Sequence, residues 1–326
     1  MSSRDTVEVA VSVLRDAQGR VLLAERTPRQ VAAGFWELPG GKIDPGETAA
    51  AAAARELREE IGVHARRLVP WFVHEHVFPT RRVRLHLFHV SQWDGTPQGV
   101  EGQRLAWVDP QAPQVAPLLP SNARALAVLG LPPRLAVSRA SEGEGTAAFV
   151  QRTLPALLAA GVRLLLLREP RLAPAQLVQF ARRVVDAGRG QGLRVLLAGT
   201  PLAARQAGAG GVYSSAQQLR ALHARPDAAL WAVGCHGEAD LRHARALGAD
   251  LAIVAPVKAT AAHPHDAPLG WAWIAQQAAA SALPLYAQGG LGPADLADAQ
   301  RHGAVGVAAA ASAWAGAGVP TAALAA

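Results

Sequence analysis

Over roughly the first 130 residues, apolar and polar positions alternate in short runs. Val7, Val9, Val11 and Val13 occupy every second position, and Gln18-Gly19 then supplies a turn before the apolar run RVLLAER. Val83, Leu85 and Leu87 alternate with Arg82, Arg84 and His86, the period of a half-buried strand. Between these strands the periodicity changes. Ala49 to Ala54 are six consecutive alanines, the best helix formers available, and the spacing predicts a helix from Thr48 to Ile61. Thr48 is placed to cap it, Asp44-Pro45-Gly46 to turn the chain into it, and Gly62 to end it in a left-handed conformation.

GLPPR at 130–134 interrupts this pattern, because two prolines after a glycine resist both helix and strand. The break predicts two domains, residues 1–131 and 132–326. Beyond it the rhythm is different. Eight short apolar runs follow: LAVSR at 135–139, RLLLLRE at 163–169, RVLLAG at 194–199, GVYS at 211–214, LWAVGCH at 230–236, LAIVAPV at 251–257, PLYAQGG at 284–290 and AVGVAAA at 304–310. Nearly all are unbroken, as strands buried on both faces require, and helix-like segments fill the gaps. Eight βα units at this spacing predict a compact (β/α)8 TIM barrel, ranked ahead of a doubly wound open sheet.

Composition alters the picture at a few points. The 326 residues carry a formal net charge of +7, and all the basic residues except Lys42 and Lys258 are arginine. That excess reads mainly as coding bias, although a basic balance suits an anionic partner. No basic run interleaved with aromatics appears, which favours a small phosphorylated molecule over nucleic acid. One cysteine, Cys235, excludes an intrachain disulfide, and a lone thiol in an apolar strand is expected to be inert. The N-terminal residues lack the apolar core of a signal peptide, and no eighteen-residue apolar stretch occurs, so a cytoplasmic protein without a membrane span is expected. His74, His76, His86 and His89 lie near strands without metal-ligand spacing and read as surface or hydrogen-bonded groups.

The predicted helix carries Glu56, Glu59 and Glu60 on one face, with Arg55 four residues before Glu59. Like charges at this spacing repel, so either the face is simply solvated or a cation sits among them. A carboxylate cluster on a rigid helix suits Mg²⁺ or Mn²⁺. The complete pattern, G-x5-E-x7-R-E-L-x-E-E-x-G-V from Gly41 through Glu47 to Val63, resembles the Nudix box at every signature position. The resemblance implies an α/β/α sandwich that hydrolyses a diphosphate bond in a nucleoside diphosphate linked to another group. It implies Glu56, Glu59, Glu60 and the Gly40 carbonyl as metal ligands, Arg55 as the residue orienting them, and Glu47 as a supporting carboxylate.

FWELPGGKIDPGET, FPTRRVRLHLFHVSQWDGTP and EGQRLAWV are similar to the MutT type of the family, which removes 8-oxo-dGTP from the nucleotide pool. That similarity, across most of residues 6–129, implies Glu101 as a further metal ligand and catalytic base. It implies Asn122 as the reader of the purine edge, Arg26 and Arg81 as nucleotide-pocket arginines, and Phe78 as an aromatic wall. Each has a plainer alternative: solvent-facing for Glu101, turn or cap for Asn122, surface charge for the arginines, core for Phe78. The expected substrate is a nucleoside triphosphate.

LLLREP, GVYSSAQQL, VGCHGEADLRHARALGADLAIVAPVKAT, APLGW and AQGGL resemble thiamine phosphate synthase over about residues 134–315. The resemblance implies a phosphate site in the barrel using Arg168, Gly289 and Gly290, with His236 and Thr260 on the family pattern. Tight turns alone are the competing account of the two glycines. The chain also departs from that family. Its Asn-Asp pair is Ala198-Gly199 here, its second metal-binding Asp is Gln218, its second basic residue is Pro170, and its loop lysine is His263. Without the two carboxylates a working synthase is not expected. The barrel is expected to bind a phosphorylated ligand or to be a structural relic. The alternatives are a hydrolase of a thiamine-related or other diphosphate, a ligand-sensing protein, and a bifunctional enzyme.

Overall fold

A computed structural model describes residues 6–79, 81–260, 267–280 and 283–316. Two compact units divide the chain, one holding most residues up to Leu131 and the other most residues from Pro132 onward.

In the first unit the strands are β1 (Thr6–Leu14), β2 (Val21–Glu25), β3 (Trp36–Glu37), β4 (Gly40–Lys42), β5 (His64–Val77), β6 (Arg82–Asp94) and β7 (Leu105–Val108). They form a four-stranded sheet in the order β4-β1-β6-β5 and a three-stranded sheet in the order β3-β2-β7. Helices α1 (Ala49–Ile61) and α2 (Ala123–Leu129) accompany them. The Thr48 hydroxyl accepts the Ala51 N–H at 3.2 Å, and Gly62 closes α1 at φ 68°. Both ends of α1 are therefore fixed by local chemistry that the sequence spells out.

β1 departs from simple alternation. Ala10 to Leu14 are all buried, including Ala10 and Ser12, which occupy the positions between the valines. The reason is position: β1 is flanked by β4 and β6, and α1 covers one face of the sheet. Ala10 packs with Ala52, Ala53 and Phe88, and the small side chains let helix and sheet approach closely. One helical turn further on, Leu57 and Ile61 join Leu14, Leu22, Val63 and Val90 in a second cluster. These two clusters set the rotation of α1 and so decide where its glutamates point.

His89 of β6 packs on Trp71, with ring centroids 4.6 Å apart. Burial, with a smaller push from the Arg15 guanidinium, lowers its pKa to about 3. Burial likewise lowers His74 to about 4. As pH falls below 6.5 the unfolded chain takes up these protons first, so stability is complete above 6.5 and is lost on the way down to the folded values. His89→Leu should flatten that acid decline, measured as the calorimetric Tm of the full chain between pH 7 and pH 4.5. An unchanged decline would exclude His89 as a source.

In the second unit β8 (Arg134–Val137), β9 (Leu164–Leu167), β10 (Arg194–Leu197), β11 (Gly211–Ser214), β12 (Trp231–Cys235), β13 (Leu251–Val254), β14 (Leu285–Gln288) and β15 (Gly306–Ala310) form a closed parallel barrel. Each strand falls within one of the eight apolar runs except β8, which starts one residue ahead of its run, and β15 pairs with β8 to close the ring. Helices such as Pro174–Ala187 and Glu238–Ala246 connect successive strands. No helix among the described residues is long and apolar enough to cross a membrane.

Candidate active site

β4 and the loop after it run beside α1, and Arg55 ties them together. Its Nε and Nη2 donate to the two oxygens of Glu47 at 3.1 and 3.0 Å. Nη1 donates to Glu56 at 2.8 Å and Glu59 at 3.0 Å, and Nη2 also donates to the Lys42 carbonyl at 3.0 Å. Hydrogen bonds to Glu47 and Glu56 hold the Arg55 pKa above its ordinary value, and the same bonds lower that of Glu47. Burial raises the Glu56 carboxyl despite Arg55, and neighbouring Glu59 and Glu101 add to the rise.

Glu60 turns away from Arg55. Its Oε2 accepts the Gly40 N–H at 2.9 Å. Burial pushes its pKa up to about 8; the Gly40 hydrogen bond opposes this, and the charges of Glu37, Glu56 and Glu101 reinforce it. A side chain at Gly41 would place Cβ 2.2 Å from Glu56 Oε1, and one at Gly40 would meet the Ala10 carbonyl at 2.1 Å. The glycine pair is thus what lets β4 lie against both the helix carboxylates and β1.

Among the described residues no three His, Cys, Asp or Glu side chains stand already converged on a metal position. Arg55 holds Glu56 and Glu59, while Gly40 holds Glu60. The donor set nevertheless fits a hard divalent cation: oxygen ligands only, on a rigid helix, with two carboxyls, Glu56 and Glu60, that burial and, to a smaller extent, neighbouring acids push above their ordinary pKa.

Glu101 is exposed on the loop before β7, and its charge reaches Glu56 and Glu60. Asn122 is buried at the start of α2 but makes no side-chain cap hydrogen bond, which removes the plainer cap reading. Its Oδ1 accepts the Leu38 N–H at 3.1 Å, and Nδ2 lies 3.5 Å from Ser121 Oγ. Arg26 donates to Glu37 through Nη1 and to the Val31 carbonyl at 2.6 Å through Nε, so it is not a solvated surface charge. Phe78 and Arg81 meet at the tip of the β5–β6 hairpin, with the guanidinium carbon 5.7 Å from the ring centroid and His76 edge-on to the ring. Phe78 is only half-buried there, so the core alternative does not describe it.

Two participants were not identified from the sequence. Glu37 is the partner of Arg26, its pKa is raised by burial, and its charge is felt at Glu60. The signal was present in FWELPGG, a carboxylate inside an apolar run just ahead of the glycines. Gln103 bridges the Glu101 loop to α1 and gave no comparable signal.

In the barrel, Arg168 is exposed at the end of β9, and its backbone N–H donates to Ser138 Oγ at 3.2 Å. Neighbouring Glu169 is buried and accepts Ser138 Oγ–H, Ala140 N–H and Ser141 N–H. Gly289 and Gly290 have φ of 90° and 66°, and added Cβ atoms would lie 2.7 Å from Pro256 Cα and from the Ala259 carbonyl. Close packing against residues 256–259 accounts for these glycines by itself. Gln218 closes a capping box with Ser215 at the start of the helix Ala216–Ala221. The His236 N–H donates to Asp240, whose carboxylate also takes two bonds from Arg220. Cys235 is buried and burial raises its pKa, consistent with an inert thiol. Thr260 ends its described stretch, and His263 lies outside the described residues. A cavity of about 650 Å³ beside the ends of β8 and β15 is lined by Arg139, Glu142, Glu144, Phe149 and Ser312 among others. Arg168, Gly289 and Gly290 do not line it.

Comparison with known proteins finds a match to the NUDIX domain over residues 5–129 and to thiamine monophosphate synthase over residues 137–313. The CTP pyrophosphohydrolase of Escherichia coli K12 is 37% identical over 118 residues, covering 36% of this chain and 85% of that protein. The 8-oxo-dGTP diphosphatase of Haemophilus influenzae is 36% identical over 118 residues, covering 36% of this chain and 87% of that protein. The structure of a thiamine phosphate pyrophosphorylase from Pyrococcus furiosus covers 58% of this chain and 90% of its own, at 13% identity and a TM-score of 0.47.

Proposed function

We infer the function from one premise: the chain belongs to the Nudix family through residues 5–129 and to the thiamine monophosphate synthase family through residues 137–313. The first unit is a Nudix hydrolase. Its proposed reaction is hydrolysis of 8-oxo-dGTP to 8-oxo-dGMP and pyrophosphate. Water adds to the β-phosphorus, the bond from that phosphorus to the α–β bridging oxygen breaks, and Glu101 takes the proton released.

Glu56, Glu59, Glu60, Glu101 and the Gly40 carbonyl would hold Mg²⁺ or Mn²⁺, which supplies charge neutralisation for the triphosphate oxygens. Arg55 orients the helix carboxylates, and Glu47 fixes Arg55. Arg26, Arg81 and Phe78 line the nucleotide pocket. The substrate reading is carried by Asn122. With Oδ1 occupied by the Leu38 N–H, the amide NH₂ keeps a hydrogen for a carbonyl on the base edge, and guanine offers one at C6. The similarity to an 8-oxo-dGTP diphosphatase supports the same choice.

The proposed role of the barrel is non-catalytic binding of a phosphorylated ligand. Ala198-Gly199 has no carboxylate to offer, and the Gln218 side chain is committed to a helix cap. Incubating the full chain with Mg²⁺ and a panel of nucleoside triphosphates tests both parts. Turnover of 8-oxo-dGTP should exceed that of dGTP and CTP by about tenfold or more in kcat/KM, releasing pyrophosphate rather than phosphate. A preference for CTP, the substrate named for the other relative, would overturn the 8-oxo-dGTP assignment. Formation of thiamine phosphate from its two precursors would overturn the non-catalytic barrel.

A further inference from the structure

The loop from Gln98 to Gln103 is built onto the C-terminal end of α1. The Gln98 N–H donates to the Ile61 carbonyl at 3.1 Å, and the Val100 N–H donates to the Glu60 carbonyl at 2.9 Å. These carbonyls belong to the last turn of the helix, where no intrahelical donor remains for them. Gln103 then contributes from both ends of its amide. Nε2 donates to the Glu60 carbonyl at 2.7 Å, and Oε1 accepts the Glu101 N–H at 2.9 Å. The loop folds back tightly enough that a side chain at Gly99 would place Cβ 1.9 Å from the Gln103 carbonyl. One amide group therefore links the backbone of Glu60 to the backbone of Glu101.

We propose that Gln103 is the positioning residue that registers the Glu101 carboxylate against the glutamates of α1. The inference rests on the reading of Glu101 as part of the hydrolytic site. Glu101 is exposed, so burial does not fix its side chain. Its placement then depends on its backbone, and the Gln103 amide, beside the Gln98 and Val100 N–H bonds, ties the Glu101 N–H directly to the helix end. Gln103 itself touches no substrate in this account. Its effect passes through Glu101 alone, which sets it apart from a residue that merely stabilises the loop.

Gln103→Met keeps the length of the side chain and removes both hydrogen bonds; Gln103→Ala serves as a second variant. In the full chain, kcat for the preferred nucleoside triphosphate should fall about tenfold to a hundredfold, with KM within about twofold and Tm nearly unchanged. Amide exchange at Val100 and Glu101 should quicken while that of Leu57 and Arg58 does not. In a Glu101→Gln background, either Gln103 substitution should cost no further activity. Equal fold-losses in the two backgrounds would overturn the proposal, as would an unchanged kcat beside a Glu101→Gln variant that is impaired. A Glu101→Gln variant with full activity would instead refute the reading of Glu101 on which the proposal stands.

Discussion

Glu60→Gln should lower kcat for 8-oxo-dGTP on the order of a thousandfold while leaving KM within a few-fold and the fold intact. The expectation comes from two opposing demands on one carboxylate. Burial and the neighbouring acids raise its pKa to about 8, so the protein alone disfavours the charged form that a metal-binding role needs. The one opposing contact is the Gly40 N–H, and glutamine can accept it just as well. The substitution therefore removes charge without removing the hydrogen bond. Stability should move in the opposite direction from activity. A carboxyl whose folded pKa is raised contributes stability below its unfolded value of 4.5, and that contribution is lost as pH rises toward 8. In metal-free buffer the parent chain should lose Tm across that window, and Glu60→Gln should be flatter and at least as stable at pH 8. Addition of Mg²⁺ should raise the Tm of the parent at pH 8 and raise that of Glu60→Gln much less. A variant with parent-like kcat and an undiminished Mg²⁺ response would show that Glu60 is not part of the hydrolytic machinery.

How much of this site could be read from the chain depends on how local each determinant is. Thr48, the alanine run and Gly62 write α1 entirely within fifteen residues, so its bounds and its acidic face were legible. The barrel strands were legible for a similar reason, since burial on both faces leaves an unbroken apolar run in the sequence. Ala10 and Ser12 show where that logic stops. Both look compatible with an exposed strand face, yet both are buried, Ala10 against Ala52, Ala53 and Phe88. Arg26 illustrates the same limit for charge. Its ion pair with Glu37 joins β3 to the end of β2, and strand pairing between Glu25 and Trp36 is what sets the two side chains beside each other. Asn122 and Gln103 act on backbone atoms 84 and 43 residues away, a distance over which spacing carries no signal.

Arg55→Met should reduce kcat about a hundredfold, and Arg55→Lys should recover little of it. The argument is one of geometry. A guanidinium has five N–H donors in a fixed fork, and here each finds an acceptor: two on Glu47, one each on Glu56 and Glu59, and one on the Lys42 carbonyl. Lysine keeps the charge but offers three donors from a single atom, so it cannot bridge the β4 backbone, the loop and two successive turns of the helix at once. With methionine in its place, Glu47, Glu56 and Glu59 face one another without a cation between them, and the two helix carboxylates lose the contact that fixes their rotamers. The pH dependence of stability separates this from loss of packing alone. Arg55 lowers the Glu47 pKa, and a carboxylate with a depressed folded pKa contributes stability above its unfolded value of 4.5 that is lost as pH falls through the folded one. The Tm deficit of Arg55→Met should accordingly be largest near neutral pH and shrink toward pH 4. Mg²⁺ should narrow the deficit at neutral pH, because a divalent cation restores positive charge among the same oxygens. A deficit equal at pH 7 and pH 4, or a kcat within twofold of the parent, would mean that the five hydrogen bonds hold the loop in shape without organising the carboxylates for hydrolysis.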